Sequence, residues 1–234
     1  MKFRLNKSKV LRNLLIVVGL LLIGNLLAVY LRFNTGGMDN KVPRLLIKLL
    51  DFNLEANLPT YFSSLVLLFN GFILALIGKS HKTLGEKFWH WFGLAFIFVF
   101  LALDEMIQIH EQLRAPMEAL FNTSGILYFA WFIPYIAIML IIVIAYFKFM
   151  MRLPKSILKL FILAGVLFVS GAVVMEAISG MHAEKHGEET MTYAMMYSFE
   201  ELLEMSGAII FMYALISYIE LKFKKVNILL EAKE

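Results

Sequence analysis

Ionisable and polar residues gather in the segment 101–113, LALDEMIQIHEQL, at the end of an apolar run that begins at Phe88. Because each residue of an α-helix advances by about 100°, Asp104, Gln108 and Glu111 are predicted to form one stripe. A charged side chain at the bilayer centre costs about 2.5 to 3.5 kcal/mol, so such residues usually face the interior of a helix bundle and take part in function. The segment therefore indicates where the protein acts, but not which reaction or transport event it performs.

Six acids from three apolar segments are predicted to lie at one depth in the membrane. A hydrocarbon core takes about 20 helical residues at about 1.5 Å each, which places these acids within roughly one turn of the same membrane boundary. They are Asp104, Glu105, Glu176, Glu200, Glu201 and Glu204. At this density the carboxylates would repel one another unless some are protonated, paired or bound to a cation.

A bound divalent cation is the simplest way to hold such acids together, so all six are candidate metal ligands. Oxygen ligands suit Mg²⁺, Ca²⁺ or Mn²⁺, whereas His110 together with His182 or His186 would shift the preference towards Zn²⁺ or Fe²⁺. The sequence does not distinguish among these ions. Glu105, His110 and Glu111 are candidate catalytic groups for acid–base chemistry. The alternative is a ring of hydrated or partly protonated acids that caps helix ends.

No catalytic motif narrows the chemistry further. The zincin His-Glu-x-x-His, the Walker loop, the Gly-x-Ser-x-Gly elbow and the dinucleotide fingerprint are all absent from the sequence. The chain has no cysteine, which excludes a disulfide, a thiolate nucleophile and a cysteine-ligated metal or iron–sulfur site. The net charge of +4 comes from lysines and arginines in short loops, so it indicates contact with anionic lipid and not with nucleic acid.

The composition predicts an integral membrane protein, because 60% of the residues are hydrophobic, 17% are charged and the mean hydropathy is +0.75. Six apolar segments are long enough to cross a bilayer. They cover 14–31, 60–78, 88–109, 127–147, 157–178 and 195–219. We therefore predict an all-α, polytopic fold in which six transmembrane helices form one bundle and one domain over residues 1–234. Segment 42–52 adds a short amphipathic helix that lies on the membrane interface or packs on the bundle.

The distribution of basic residues predicts the orientation of the chain. Lysines and arginines occur at the N-terminus, in 79–87, in 148–159 and in a C-terminal tail that carries Lys222, Lys224 and Lys225. By the positive-inside rule both termini are cytoplasmic, and the chain is predicted to be a multi-pass protein of a prokaryotic plasma membrane. The six acids would then lie beneath the extracytoplasmic surface.

Several single residues within the spans have structural interpretations. Gly207 would allow close approach of another helix to the sixth span. Asn25 and Asn70 are each a lone polar residue in a span and are predicted to form interhelical hydrogen bonds. Trp131 and Tyr135 are interpreted as part of an aromatic belt at the membrane interface and as packing residues.

The leading functional hypothesis is a membrane-embedded, metal-dependent enzyme whose site acts on a lipid or lipid-linked substrate in the outer leaflet. The alternatives are a divalent-cation or proton-coupled transporter or channel, and a non-catalytic sensor that binds a cation. A transporter requires a polar path to the cytoplasm, and only Asn25, Asn70 and Ser170 reach mid-depth. Membrane lipid is the expected partner, and the oligomeric state and the enzyme-or-transporter choice stay open.

Overall fold

The computed structural model describes residues 6–35 and 39–223, and all regular secondary structure within these ranges is helical. The α-helices are α1 (Lys7–Asn34), α2 (Lys41–Leu50), α3 (Leu58–Thr83), α4 (Trp89–Ile107), α5 (Ile109–Phe121), α6 (Phe132–Met150), α7 (Lys155–Val169), α8 (Glu176–His186) and α9 (Met191–Phe223). A short 3₁₀ turn, Gly125–Leu127, precedes α6, and a π-helical turn, Ser170–Met175, joins α7 to α8. The predicted basic tail at Lys224 and Lys225 lies outside the described residues.

Within the described residues six helices are long and apolar enough to cross a membrane, which confirms the prediction of an all-helical, six-span, multi-pass membrane protein. Five of them are α1, α3, α4, α6 and α9, and the remaining span is the continuous 32-residue helix Lys155–His186 formed by α7, the π-helical turn and α8. Each spanning helix runs beyond the apolar segment that predicted it at one end or both, except α4, which lies within 88–109. Helix α6 runs beyond its segment only at its C-terminal end and starts later than predicted. Which ends of the helices face the cytoplasm stays a prediction from loop charge.

Helix α9 occupies the centre of the bundle and packs against α1, α3, α7 and the π-helical turn. It approaches α7 closely at Gly207, where an added Cβ would lie 2.7 Å from the backbone nitrogen of Phe168 and 2.8 Å from the carbonyl oxygen of Ala164. Backbones meet this closely only where a residue has no side chain, and in lipid such packing drives helix association. The predicted role of Gly207 is therefore confirmed.

Helices α3 and α4 form a tightly packed antiparallel pair beside α9. A Cβ at Gly71 would lie 3.0 Å from a methyl group of Val99 and 3.2 Å from the carbonyl oxygen of Ala95, so glycine lets the two helices close up. The Ser64 hydroxyl donates a 2.7 Å hydrogen bond to the carbonyl oxygen of Ala102. This pairing fixes the end of α4, from which the candidate site is built.

The amphipathic segment 42–52 contains the predicted short helix, α2. Ile47 is buried, and the side chain of Leu50 lies against Gly24 of α1. Val42 and Leu45 on the same helix are 68% and 58% exposed. The helix therefore packs on the bundle through one apolar edge, which confirms that placement, and presents another apolar edge outward. Its position at the membrane interface stays a prediction.

After the third span, Pro116 and the turn signal at 122–125 predict a polar loop over residues 111–125, and the structure differs from this prediction. Instead α4 ends at Ile107, Gln108 adopts a left-handed conformation with φ 57° and ψ 46°, and the chain continues as α5. A left-handed residue ends one helix and redirects the chain into the next. Glycine usually occupies such a position, which is why glutamine gave no signal here.

Candidate carboxylate and histidine site

The site begins at Asp104, which lies in the last turn of α4 and is buried. One carboxylate oxygen, Oδ1, accepts the backbone N–H of His110 at 2.9 Å and the hydroxyl of Tyr135 at 3.0 Å. A carboxylate that accepts an N–H from the first turn of a helix acts as an N-cap. Asp104 therefore holds the start of α5 and the start of α6 against the end of α4.

His110 sits directly on this carboxylate. Its Nδ1 atom lies 3.3 Å from Oδ1 of Asp104, and its ring packs on the indole of Trp131 with the ring centroids 4.7 Å apart. Burial alone would lower the pKa of His110, but the adjacent Asp104 carboxylate and the charges of Glu111 and Glu176 hold this pKa above its ordinary value. With Nδ1 directed to Asp104, the imidazole keeps Nε2 for a second partner.

Glu105, Glu201 and Glu204 form the centre of the acid cluster between α4 and α9. The charge of Glu105 acts on both Glu201 and Glu204, and these two acids also act on each other. All three side chains are half-buried. Within residues 6–35 and 39–223 these three carboxylates accept no hydrogen bond, and the charge of His110 offsets only part of the repulsion on Glu105.

Glu55 joins the cluster from the loop between α2 and α3, and the sequence prediction missed it. Its charge acts on Glu105, Glu201 and Glu204, and its Oε2 accepts a hydrogen bond from the Thr60 hydroxyl at 3.2 Å. Burial, followed by the nearby charge of Glu111, raises the pKa of Glu55 above its ordinary value. The available signal was topological, because the positive-inside rule places the loop between the first two spans on the same side as the six acids.

Buried hydrogen bonds fix the loop that carries Glu55. Asn25 of α1 donates to the hydroxyl of Ser198 at 2.7 Å and accepts the backbone N–H of Phe52 at 2.8 Å, which ties α1, the loop and α9 together. Asn57 donates to the carbonyl oxygen of Asp51 at 2.7 Å. The predicted interhelical role of Asn25 is confirmed, and Glu55 is held on a structured loop.

Glu176 and Glu200 form a second edge of the cluster, where the π-helical turn meets α9. A Cβ at Gly171 would lie 2.7 Å from the carbonyl oxygen of Glu200 and 2.7 Å from Cγ of Glu204, so this turn contacts the acid-bearing backbone directly. Glu176 follows the turn and accepts a 3.1 Å hydrogen bond from the Trp131 indole. A π-helical insertion beside a polar cluster is typical of a functional site.

Glu200 supplies the least satisfied atom of the cluster. Its Oε2 is buried and has no hydrogen-bond partner among the described residues, and the charges of Glu176, Glu204 and Glu201 act on it. A buried, unpartnered oxygen costs about 1 to 3 kcal/mol, and more when it carries charge. A cation or a proton bound at this edge would remove that cost.

The structure thus brings together the acids predicted as metal ligands, and it places two predicted catalytic residues, Glu105 and His110, among them. Glu111 is exposed and lies at the margin, where its charge reaches Glu55 and His110. The alternative ligands His182 and His186 stack on each other with ring centroids 4.7 Å apart, and His182 bonds the Thr190 hydroxyl at 2.9 Å. The chemical roles of all these residues stay predictions.

Trp131 and Tyr135 were interpreted as interface and packing residues, and the structure gives them a further part. Each donates a hydrogen bond to one acid of the cluster, Trp131 to Glu176 and Tyr135 to Asp104. Their rings lie 5.2 Å apart and enclose His110 from two sides. Their position at the start of the fourth predicted span, at the depth of the acids, was the signal that sequence reasoning passed over.

In the part of the chain that the structure describes, no three His, Asp or Glu side chains are already placed to ligate one ion. The donor set is nevertheless oxygen-rich, with one imidazole, which suits hard divalent cations. A cation bound here would have to draw the carboxylates closer together. Such contraction is favourable, because the ion replaces repulsion between acids with attraction to each.

An apolar layer separates this site from the other end of the bundle. Asn70 donates to the carbonyl oxygen of Ala208 at 2.9 Å, which confirms its predicted interhelical bond. On the side away from the acids, the polar region ends at this bond. Beyond it lie buried apolar side chains of α3, α7 and α9. They are Leu74, Ile77, Phe161, Phe211, Ala214 and Leu215.

Fold and site together define an all-helical, six-span membrane protein with a carboxylate and histidine cluster near one end of its bundle. Residues 14–219 match the family described as "Domain of unknown function (DUF8692)", and the chain belongs to that family. No curated protein and no solved structure matches the chain.

Proposed function

We propose that the protein is a membrane-embedded enzyme in which the carboxylate cluster binds a divalent cation and His110 acts as general acid or base. The substrate is a lipid or lipid-linked molecule that reaches the site from the adjacent leaflet. With the orientation predicted from loop charge, the site faces the extracytoplasmic side of a prokaryotic plasma membrane. The observation that carries the proposal is the Asp104–His110 pair beside unpartnered acids.

The Asp104–His110 pair supports proton-transfer chemistry. A carboxylate beside Nδ1 orients the imidazole and stabilises its protonated form, which leaves Nε2 to give or take a proton at the substrate. The 3.3 Å separation of Nδ1 and Oδ1 and the packing of the ring on Trp131 hold that orientation. The raised pKa of His110 favours a proton donor at neutral pH.

The acids supply the cation-binding half of the proposal. Glu105, Glu201 and Glu204 interact as like charges and have no donors to offset them within the described residues. A divalent cation would balance two of these charges and would make a bound water more acidic, so that it is a nucleophile at neutral pH. Glu55 and Glu176 at the edges would complete an oxygen-rich surrounding.

The position of the cluster supports a lipid substrate. The acids lie on spans α4 and α9, and apolar side chains near the same end, Leu103 of α4 and Phe199 of α9, are 48% and 51% exposed. A lipid headgroup would meet the site while its chains stay in the bilayer. The apolar layer between the site and the opposite end weighs against a transporter, which needs a polar path.

The test uses the purified protein reconstituted in liposomes of a total bacterial lipid extract. We expect a new lipid product, detected by mass spectrometry, that requires Mn²⁺ or Mg²⁺ and is lost with EDTA. The product should also be lost in the His110→Asn variant. It should be kept in the Glu118→Gln variant, because Glu118 pairs with Arg114 and not with the acid cluster. Cation or proton flux through the liposomes with unchanged lipids would contradict the enzyme and favour the transporter.

A further inference from the structure

A groove lies between α3 and α4 at the end of the bundle opposite the acids. It is lined by Ala75, Leu76, Lys79, Lys82, Thr83 and Phe92. One half of this lining is apolar and the other is basic. Phe92 packs closely on α3 beside the groove, since a Cβ at Gly78 would lie 3.3 Å from its ring.

The basic half of the groove carries positive charge that no acid among the described residues neutralises. Lys79 and Lys82 are exposed, lie one helical turn apart, and form no ion pair within residues 6–35 and 39–223. The nearest acid in sequence, Glu86, is engaged elsewhere. Its two oxygens accept from Lys222 at 2.8 Å and contact Nδ1 of His81 at 2.6 Å.

The start of α4 adds to this positive field. Helix α4 begins at Trp89 after Phe88, with no side-chain cap and no acid in its first turn. The partial positive charge of a helix N-terminus is therefore available to an anion. Lys82 reaches the same place, because its ammonium nitrogen lies 5.5 Å from the centroid of the Phe88 ring.

The apolar half decides what kind of anion fits. From the lysines the groove runs along α3 to Leu76 and Ala75, within the part of the helix that is apolar enough to span. A free phosphate would gain no favourable contact with this apolar surface, whereas an acyl chain would pack along it. Trp89 is 74% exposed at the same end, as expected of an aromatic side chain at a membrane interface.

We propose that this groove binds one anionic phospholipid, with its phosphate beside Lys79 and Lys82 and one acyl chain along Ala75, Leu76 and Phe92. Basic side chains at a membrane surface attract anionic headgroups, and an apolar wall between two spans gives the chain a defined place. The bound lipid bridges α3 and α4, the helix pair whose far end carries Asp104 and Glu105. This proposal is independent of the reaction at the acid site.

The test measures lipid binding to the full-length protein in a neutral detergent by native mass spectrometry. The probes are phosphatidylglycerol, phosphatidylcholine with the same acyl chains, and inorganic phosphate. For the unaltered protein we expect phosphatidylglycerol to bind about tenfold more tightly than phosphatidylcholine, since two lysines act on its charge. Inorganic phosphate at millimolar concentration should not displace it.

Two variants separate the halves of the groove, and a third is the matched control. Lys79→Gln with Lys82→Gln removes the charge, and Ala75→Trp fills the apolar half without a change of charge. Each change should weaken the binding of phosphatidylglycerol about tenfold. Lys155→Gln with Lys159→Gln removes two exposed lysines at the start of α7 and should change binding less than about twofold.

The unfolding midpoint in detergent without added lipid serves as the folding control for every variant, because all the altered side chains lie at the surface or in the groove. Equal losses in the two lysine pairs would overturn the proposal, since binding would then follow net charge. Unchanged binding in Ala75→Trp, or displacement of the lipid by inorganic phosphate, would also overturn it. A specific site requires the groove pair and Ala75→Trp to weaken binding while the control pair does not.

Discussion

The two ends of the bundle both contain buried ionisable side chains, and they satisfy them in opposite ways. At the lysine-rich end, His81 contacts Glu86 through Nδ1 at 2.6 Å and Tyr218 through Nε2 at 2.8 Å, and Glu86 also accepts from Lys222. The His81 ring stacks on Trp91 with centroids 5.6 Å apart. Every ring nitrogen and both carboxylate oxygens of this network have a partner.

At the acid end, like charges face one another instead. Glu105, Glu201 and Glu204 interact mainly with other carboxylates, and Oε2 of Glu200 is buried without a partner in the described part of the chain. A closed network such as that of His81 stabilises the fold and needs nothing further. An unbalanced cluster costs stability and is retained where a ligand completes it. This contrast is the reason for proposing that function lies at the acid end.

The largest expected effect is the loss of cation binding when two central acids are neutralised. Glu201→Gln with Glu204→Gln should weaken Mn²⁺ binding by about a hundredfold or more, since both ligands and their charge are removed. Calorimetric titration of protein freed of metal with EDTA measures this affinity. Glu118→Gln with Glu188→Gln changes two acids that pair with Arg114, and should leave the affinity within about twofold.

Glu201→Gln with Glu204→Gln should also stabilise the protein in EDTA, because it removes repulsion between half-buried like charges. We expect the unfolding midpoint at pH 8 to rise by a few degrees, which corresponds to an increase of about 1 kcal/mol or more in the free energy of unfolding. A fall in the midpoint would mean that these acids act as structural hydrogen-bond acceptors. The contrast between the two ends of the bundle would then fail.

Asp104→Ala should destabilise the fold by about 2 to 4 kcal/mol, since it removes a helix cap and leaves the Tyr135 hydroxyl without its acceptor. Denaturant unfolding in detergent measures this loss. Asp104→Asn keeps an oxygen for the backbone N–H of His110 and should recover about half of it. A loss of equal size in both variants would show that charge, and not capping, is what Asp104 contributes.

The pH dependence should differ in sign between the two ends. Glu55 and His110 have pKa values raised by folding, so the folded protein binds more protons, and their contribution to stability in EDTA should fall as pH rises above the ordinary pKa values of 4.5 and 6.5. Glu86 has a pKa lowered by Lys222 and then by His81, so its contribution is present at neutral pH and lost as pH falls through its folded pKa.

Unfolding midpoints measured in EDTA between pH 4 and pH 8 test this difference. Glu55→Gln should flatten the decline above pH 5, whereas Glu86→Gln should flatten only the loss at acid pH, where the effect is small because Glu86 is solvent-exposed. Identical pH profiles for the two variants would contradict the assignment of opposite roles.

The six spans were predictable because a helix that crosses a bilayer needs a long apolar segment, and such segments can be recognised in the sequence. The prediction that acids from three spans lie at one depth also follows from helical rise alone. Helix α5 was not predictable in this way. It depends on a left-handed Gln108 and on a cap supplied by Asp104, six residues before the N–H that it accepts.

Glu55 and the two aromatic donors were missed for a related reason. The loop that carries Glu55 takes its shape from contacts with Asn25 and Asn57, one of which is distant in sequence, and local patterns contain no trace of such contacts. Trp131 and Tyr135 have a general preference for membrane interfaces, and this preference hides their specific hydrogen bonds to acids. The depth of a residue in the membrane can be predicted from the sequence, whereas its contact partners at that depth are set by tertiary packing.

The most direct test of the central claim measures the unfolding midpoint of the purified protein with Mn²⁺ and with EDTA, at pH 7 and at pH 5. A cation that binds only the folded state adds about 2.7 kcal/mol at a hundredfold excess over its Kd, and protons compete with it for the same carboxylates. We therefore expect EDTA to lower the midpoint by several degrees at pH 7 and to have little effect at pH 5. No EDTA effect at pH 7, or an equal effect at both pH values, would contradict a cation site at the acid cluster.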